Sequence, residues 1–351
     1  MTTPDQLRLA HPAARPSPVV AGGVLPPVTG AFSCAAVIDI GSNSIRLAVA
    51  HRQGSGDYKV VYEQRAATRL AKDLDHTGHL DDGAVRKSVE GITAMVHAAR
   101  GHGAEVVRAV ATSAVREASD AWVFVDAVRA ACGVEIEVIT GHEEGRLAFV
   151  GAARAFDLRK GASAVLDVGG GSSELVMAEH GKIKRIISWP VGAVRLTERF
   201  GGPALAPTEG YKEMKKFLDK LVSRGARRVD APIKTFVATG GTLSSLGLMK
   251  AVAQGGARGA GRVEPHDRVA LQRAVQGLEV SRGEVKEMLA SLRQMSASER
   301  ARVPGLSRDR SEIIVAGVLT VHRVMKALGC KRVLIHSGSI RDGVLAEMFG
   351  R

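Results

Sequence analysis

Aromatic residues are scarce in this chain, at 4% of 351 residues. That scarcity argues against the base-stacking platforms of RRM or single-strand-binding modules, so no specific nucleic-acid partner is expected. Cysteine is scarcer still. Cys34, Cys132 and Cys330 form no CxxC pair and no disulfide framework, which fits a reducing, cytoplasmic setting. No run approaches the ~20 uninterrupted apolar residues that span a bilayer, so no membrane partner is expected either. Several catalytic signatures are missing as well. There is no GxxxxGK[ST], no HExxH and no Cys/His cluster with zinc spacing. A glutamate, Glu174, stands where the last glycine of a GxSxG elbow and the third glycine of GxGxxG would fall.

What is present has globular proportions, 45% apolar and 24% charged, over a length that suits two domains of ~100–200 residues each. Lys and Arg number 49 against 36 Asp and Glu, a net charge of +13 that calls for a polyanionic partner. Half of the twelve prolines (Pro4, Pro12, Pro16, Pro18, Pro26 and Pro27) crowd into residues 1–33. They interrupt the apolar stretch Val19–Val28 and predict a disordered tail without chemistry. From Cys34 onward the pattern is α/β. Val85, Val89, Ile92, Val96 and Ala99 mark one face of a helix with Asp81 or Asp82 at its start. Val106–Ala111, Val134–Ile139, Phe236–Ala238 and Val333–Ile335 read as strands, and Gly145–Phe156 as a helix.

An internal repeat organises the chain. Residues 35–50 (AAVIDIGSNSIRLAVA) align at an offset of 128 with residues 163–178 (SAVLDVGGGSSELVMA), matching at seven of sixteen positions, among them Asp39/Asp167, Gly41/Gly169 and Ser44/Ser172. Two strand–turn–strand copies predict two similar lobes, divided shortly before residue 160. Each turn places an Asp at a strand end, then Gly two residues on and Ser five residues on. Glycine permits close backbone approach, so successive N–H groups can converge on an anion. The carboxylates of Asp39 and Asp167 would repel a phosphate unless a divalent cation lay between, and Mg²⁺ binds through one or two carboxylates plus phosphate oxygens.

Seven segments together carry a resemblance: VIDIGSNSIRL (37–47), ATSAVREA (111–118), EVITGHEEGRLAF (137–149), LDVGGGSSELV (166–176), VGAVRLTERF (191–200), ATGGT (238–242) and SGSIRDGVL (337–345). In this order, over about residues 34–350, the chain resembles the exopolyphosphatase/guanosine pentaphosphate phosphohydrolase (Ppx/GppA) family in its short two-domain form. The resemblance implies an α/β fold of two ribonuclease-H-like lobes, as in the actin-like ATPase superfamily, with the active site in the cleft between them. It implies a tail over 1–33, lobes over 34–156 and 157–335, and a terminal helix over 336–351 that packs back on the first lobe. Glu144 matches the catalytic glutamate, and Arg116 an arginine that contacts phosphate. Gly41, Ser42, Asn43, Ser44, Gly169, Gly170, Gly171 and Ser172 match the two phosphate loops. Asp39, Asp167 and Glu174 match the acidic residues near Mg²⁺ or Mn²⁺, with a monovalent cation as a further candidate and a homodimer as the expected assembly.

The residues themselves agree with those roles. Phosphoanhydride hydrolysis needs an in-line water, a carboxylate to orient it and cations over the phosphoryl oxygens. Arginine's planar fork suits bidentate phosphate capture in a way lysine does not. The first expectation is release of orthophosphate from inorganic polyphosphate. The second is removal of the 5′-terminal phosphate of guanosine pentaphosphate, and the third a non-catalytic polyanion or nucleotide sensor. Gly240-Gly241-Thr242 is expected either to cradle a nucleotide or to shape the cleft. Lys182, Lys184 and Arg185, and Lys212, Lys215, Lys216, Lys220 and Arg224, are solvated faces that could also meet a polyanion.

Overall fold

The computed structural model describes residues 24–28, 31–54, 56–202, 209–226, 232–254 and 274–350. Among these, eleven strands form two sheets. The first has the order β3-β2-β1-β4-β5, from β1 (Cys34–Ile40), β2 (Ile45–Arg52), β3 (Tyr58–Ala66), β4 (Val106–Ala111) and β5 (Ile136–Val138). The second has the order β10-β11-β9-β6-β7-β8, from β6 (Ala162–Val168), β7 (Ser173–Glu179), β8 (Lys182–Trp189), β9 (Thr235–Thr239), β10 (Glu279–Ser281) and β11 (Arg332–Ile335). In both sheets an antiparallel three-stranded meander adjoins two parallel strands, and β10 is an extra edge of the second. The duplication read in sixteen residues thus extends over two whole sheets.

Strand placement follows composition. The central strands β1 and β6 are near-continuous apolar runs buried on both faces. The outer strand β8 is far less buried and carries Lys182 and Lys184 exposed, charges that discourage edge-to-edge pairing. That is the structural account of this basic cluster.

Among the described residues, eight α-helices precede β10: α1 (Leu74–Thr77), α2 (Asp82–Gly101), α3 (Ser113–Glu117), α4 (Ala121–Cys132), α5 (Gly141–Ala155), α6 (Ala193–Phe200), α7 (Glu209–Ala226) and α8 (Gly241–Ala253). In α2 the expected face is buried at Val85, Ile92, Val96 and Ala99, and Asp81 caps the start by accepting from the Ala84 N–H at 2.8 Å. On α7 the residues Lys212, Lys215, Lys216, Lys220 and Arg224 are exposed. Lys212 pairs with Glu209 and Lys215 with Asp219.

Two helices join the lobes. Phe149 and Ala152 of α5 pack with Val165, Val176 and Val237 of the second sheet. Leu147 and Ala148 pack with Val37 and Val110 of the first sheet and with Ile340, Val344 and Phe349 of the C-terminal helix Ile340–Phe349. That helix crosses α5 closely because Gly343 has no side chain: a Cβ there would overlap the Leu147 backbone. Ion pairs also tie the lobes together. Arg195 of α6 reaches Asp75 (2.7 Å) and Glu117 (2.5 Å), Arg65 pairs with Asp309, and Arg69 with Glu312 at 3.0 Å.

The expected tail departs from its composition over the residues described there. Leu25 and Phe32, each 6% exposed, pack into the cluster around α5 and the C-terminal helix. Two apolar anchors outweigh the local effect of the prolines, which leave the chain extended and easy to lay along a surface. The remainder of 1–33 lies outside the described residues. Among the described residues no helix is long and apolar enough to cross a membrane.

Candidate active site

Each sheet offers a hairpin turn to the same cleft. On β1, Asp39 lies cross-strand from Arg46 of β2; on β6, Asp167 lies cross-strand from Glu174 of β7. Both turns are closed alike, the Gly41 N–H donating to the Ser44 carbonyl at 3.3 Å and the Gly169 N–H to the Ser172 carbonyl at 3.1 Å. All eight loop residues singled out from the sequence, Gly41 to Ser44 and Gly169 to Ser172, line one cleft together with Asp39, Asp167 and Glu144. The loops touch. A Cβ at Gly171 would meet Ser42 Oγ at 2.7 Å and overlap Ser113 Oγ. Gly171→Val is therefore expected to destabilise the protein by about 1–3 kcal/mol, the range for overpacking, measured as the shift in a denaturant unfolding curve. An unchanged curve would mean that the loops separate freely.

Glu144 arrives from the junction between β5 and α5. The helix starts at Gly141, four residues before the expected Gly145, because Thr140 is its N-cap and accepts from the Glu143 N–H at 3.2 Å. Glu144 therefore sits inside the first turn, 5% exposed. Arg116, at the end of α3, donates from Nη1 to the Ile139 carbonyl (2.8 Å) and to Glu144 Oε2 (3.3 Å). It is not part of the cleft wall.

Glu174 is fully buried on β7 and is not among the residues that line the cleft. Its Oε1 accepts from Ser188 Oγ at 2.8 Å. Among the described residues no three His, Cys, Asp or Glu side chains converge into a ready-made metal cage.

Charge is unbalanced here. Burial first, and then the carboxylates of Asp167 and Asp39, hold Glu144 up at about 8 despite the opposing pull of Arg116. Burial and the neighbouring Asp39 raise Asp167 to about 7. Burial raises Asp39 as well, against Arg341 and Arg46, and burial with Glu144 and Asp167 raises Glu174. Beside these carboxylates stands an excess of the opposite sign. Burial, together with the guanidinium groups of Arg310, Arg341 and Arg65, works against the charge of Arg46. Arg341 is paired with Glu63 and Arg65 with Asp309; Arg46 and Arg310 line the cleft.

These two arginines had no assigned role in the sequence reading. Arg46 carried a signal, since the offset of 128 aligns it with Glu174: the duplicated hairpin bears opposite charges at one position. Arg310 carried none; it comes from a segment far along the chain. Gly240 and Gly241 line the cleft beside Arg310, so this turn shapes the wall, and Ser339 and Ile340 complete it at the start of the C-terminal helix. Ser339 caps that helix through a capping box with Asp342.

The site's residues fit a hard divalent cation. Its donors are the carboxylate oxygens of Asp39 and Asp167, hard ligands that meet in one cleft. Mg²⁺ asks for only one or two such ligands, with water and phosphate completing the shell.

Comparisons with known proteins agree with this architecture. Exopolyphosphatase 1 of Mycobacterium leprae is 30% identical over 311 residues, covering 88% of this chain and 87% of that protein. The crystal structure of an Aquifex aeolicus Ppx/GppA family member superposes with a TM-score of 0.71 at 29% identity, covering 89% of this chain and 96% of that one. An exopolyphosphatase structure from Cytophaga hutchinsonii, 21% identical, shares the fold with a TM-score of 0.79 over 90% of this chain and 97% of that one. The Ppx/GppA phosphatase family matches residues 47–351, and the chain belongs to that family.

Proposed function

We propose that this protein is an exopolyphosphatase that releases orthophosphate from the end of inorganic polyphosphate. One observation carries the reading. Carboxylates and arginines from separate parts of the chain meet in a single cleft between two glycine turns, which is the electrostatic complement of a metal-bound phosphate. Asp39 and Asp167 would hold Mg²⁺, or Mn²⁺, whose contribution when bound is to neutralise phosphoryl oxygens and lower the charge barrier to attack.

The chain's own groups do the rest. Backbone N–H groups of Ser42–Ser44 and Gly170–Ser172 orient the terminal phosphoryl group, and Arg46 and Arg310 neutralise its oxygens. Glu144 aligns a water and accepts its proton as the water oxygen bonds to phosphorus. The bridging P–O bond breaks, and the shortened chain keeps the electron pair. Arg116, pinned to the Ile139 carbonyl, orients Glu144. Arg116→Ala is accordingly expected to lower kcat by about 10–100-fold with little change in KM, because the guanidinium acts through the base. A raised KM at unchanged kcat would instead place it on the substrate.

A second substrate has its own observation. A recess sharing Asn43 and Ile313 with the cleft is lined by Arg69, Lys72 and His76 but also by Glu198, Asp309 and Glu312. Such carboxylates repel a polyphosphate chain, yet they can accept hydrogen bonds from the ring N–H and amino group of guanine, which favours guanosine pentaphosphate as an alternative. Phosphate release with Mg²⁺ from long polyphosphate, short polyphosphate and guanosine pentaphosphate, at matched phosphoryl concentration, tests both. The highest kcat/KM is expected on polyphosphate. A preference for the nucleotide would reverse the order, and no release from any of them would remove the enzymatic reading.

A further inference from the structure

A second group of contacts converges on the turn of α5 that carries Glu144, and the chemistry proposed above does not use it. Glu143 is 1% exposed. Its Oε1 accepts from the backbone N–H of Leu25 (3.2 Å) and from Arg146 Nη2 (2.7 Å), and its Oε2 from Arg146 Nε (2.7 Å). Arg146 also reaches Glu347 of the C-terminal helix, at 2.6 and 3.1 Å. The Leu25 side chain shares its apolar cluster with Ile139, Leu147 and Val344.

The flanking residues fasten the same segment. The Pro26 carbonyl accepts from Arg108 Nη2 at 2.7 Å, and Arg108 is itself held by Glu137 of β5 at 2.5 and 2.6 Å. The Phe32 carbonyl accepts from Arg52 Nε at 3.1 Å, and the Phe32 ring packs edge-on against Phe349 at 5.2 Å.

We infer that Leu25 and Glu143 form a strap that positions Glu144, so that residues ahead of the first strand set the geometry of the reacting carboxylate. The inference rests on the reading of Glu144 as the base. Its physical content is the convergence on residues 139–144. Ile139 supplies the carbonyl that anchors Arg116 and a side chain in the same apolar cluster as Leu25, and Glu143 is the neighbour of Glu144 in the same turn. A buried ion pair of this kind adds little net stability relative to apolar packing, but it fixes one geometry. Displacement of a reacting group by about 1 Å costs up to ~10²-fold in rate. Glu143 and Leu25 are not among the residues that line the cleft, so they are positioning residues and leave phosphate binding alone.

The test is steady-state phosphate release from Mg²⁺-polyphosphate by the full chain carrying Glu143→Gln or Leu25→Asp, the latter setting a carboxylate beside Glu143. In each, kcat is expected to fall about tenfold with KM within about twofold of wild type. Should either fail to fold, Leu25→Ala gives a milder loss in the same direction, about threefold in kcat. Wild-type kcat in the folded variants, even with a lowered melting temperature, overturns the strap; so does a raised KM at unchanged kcat. Glu144→Gln assayed alongside separates the two levels. Activity there overturns the assignment of the base. An inactive Glu144→Gln beside fully active Glu143→Gln and Leu25→Ala overturns the strap alone.

Discussion

Glu144→Gln is expected to reduce phosphate release from polyphosphate by about 10²–10⁴-fold while leaving the binding of the chain nearly intact. Glutamine keeps the shape of the side chain and an oxygen for Arg116, which sits 3.3 Å from Glu144 Oε2, but it has no basicity for the proton of the attacking water. The fold should not suffer. The carboxylate is held up at about 8 by burial and by Asp167 and Asp39, so its charged form is a burden on the native state. The variant should therefore melt no lower than wild type at pH 8. The two readouts belong together: lost turnover with a retained melting temperature and retained polyphosphate affinity identifies a chemical role. Turnover close to wild type would show that the proton leaves by another route.

The second large effect concerns stability, pH and Mg²⁺, and it needs no substrate. Asp167 rises from 3.8 to about 7 and Glu144 from 4.5 to about 8 on folding. Between those limits the native protein holds protons that the unfolded chain has already released, so raising the pH favours unfolding. The contribution is neutral below the unfolded values, worsens as pH climbs from about 4 to about 8, and is complete above that. Its size is on the order of a few kcal/mol. A divalent cation offsets the repulsion only where the carboxylates are ionised. Mg²⁺ should consequently raise the melting temperature at pH 8 and hardly at all at pH 5, and Asp167→Asn should abolish most of that difference. Equal Mg²⁺ effects at the two pH values, or an unaltered difference in Asp167→Asn, would place the cation elsewhere.

The parts of this site that were legible in the sequence are local. A strand ending in Asp and a turn with Gly and Ser at fixed positions fold through bonds such as Gly41 N–H to Ser44 carbonyl, made within a few residues. That is why Asp39, Asp167 and the eight turn residues could be named in advance, and the repeat predicted that their surroundings would match. The helix carrying Glu144 was misplaced by four residues because Gly141 and Gly145 are poor helix formers, whereas the cap from Thr140 and packing against both sheets outweigh propensity. Leu25 and Phe32 were hidden among prolines, and nothing in their own neighbourhood indicates the apolar cluster that receives them.

Arg46 lies between these cases. Its position in the hairpin is readable from the repeat, but the guanidinium groups of Arg310, Arg341 and Arg65 that crowd it are not, since they come from other segments of the chain. Arg310, Gly241 and Ser339 come to the cleft from three separate segments, and no spacing along the chain encodes their meeting.

The amino-acid order by itself determined two duplicated α/β lobes and the turns with which each would face an anion, because strand, turn and cap are written in neighbouring residues. The tertiary structure alone decided which charges meet in the cleft, that Glu174 is buried outside its lining, and that Leu25 is hydrogen-bonded to Glu143 of α5. Electrostatic balance is a sum over groups brought together from distant parts of the chain, and only the packed molecule sets the distances in that sum.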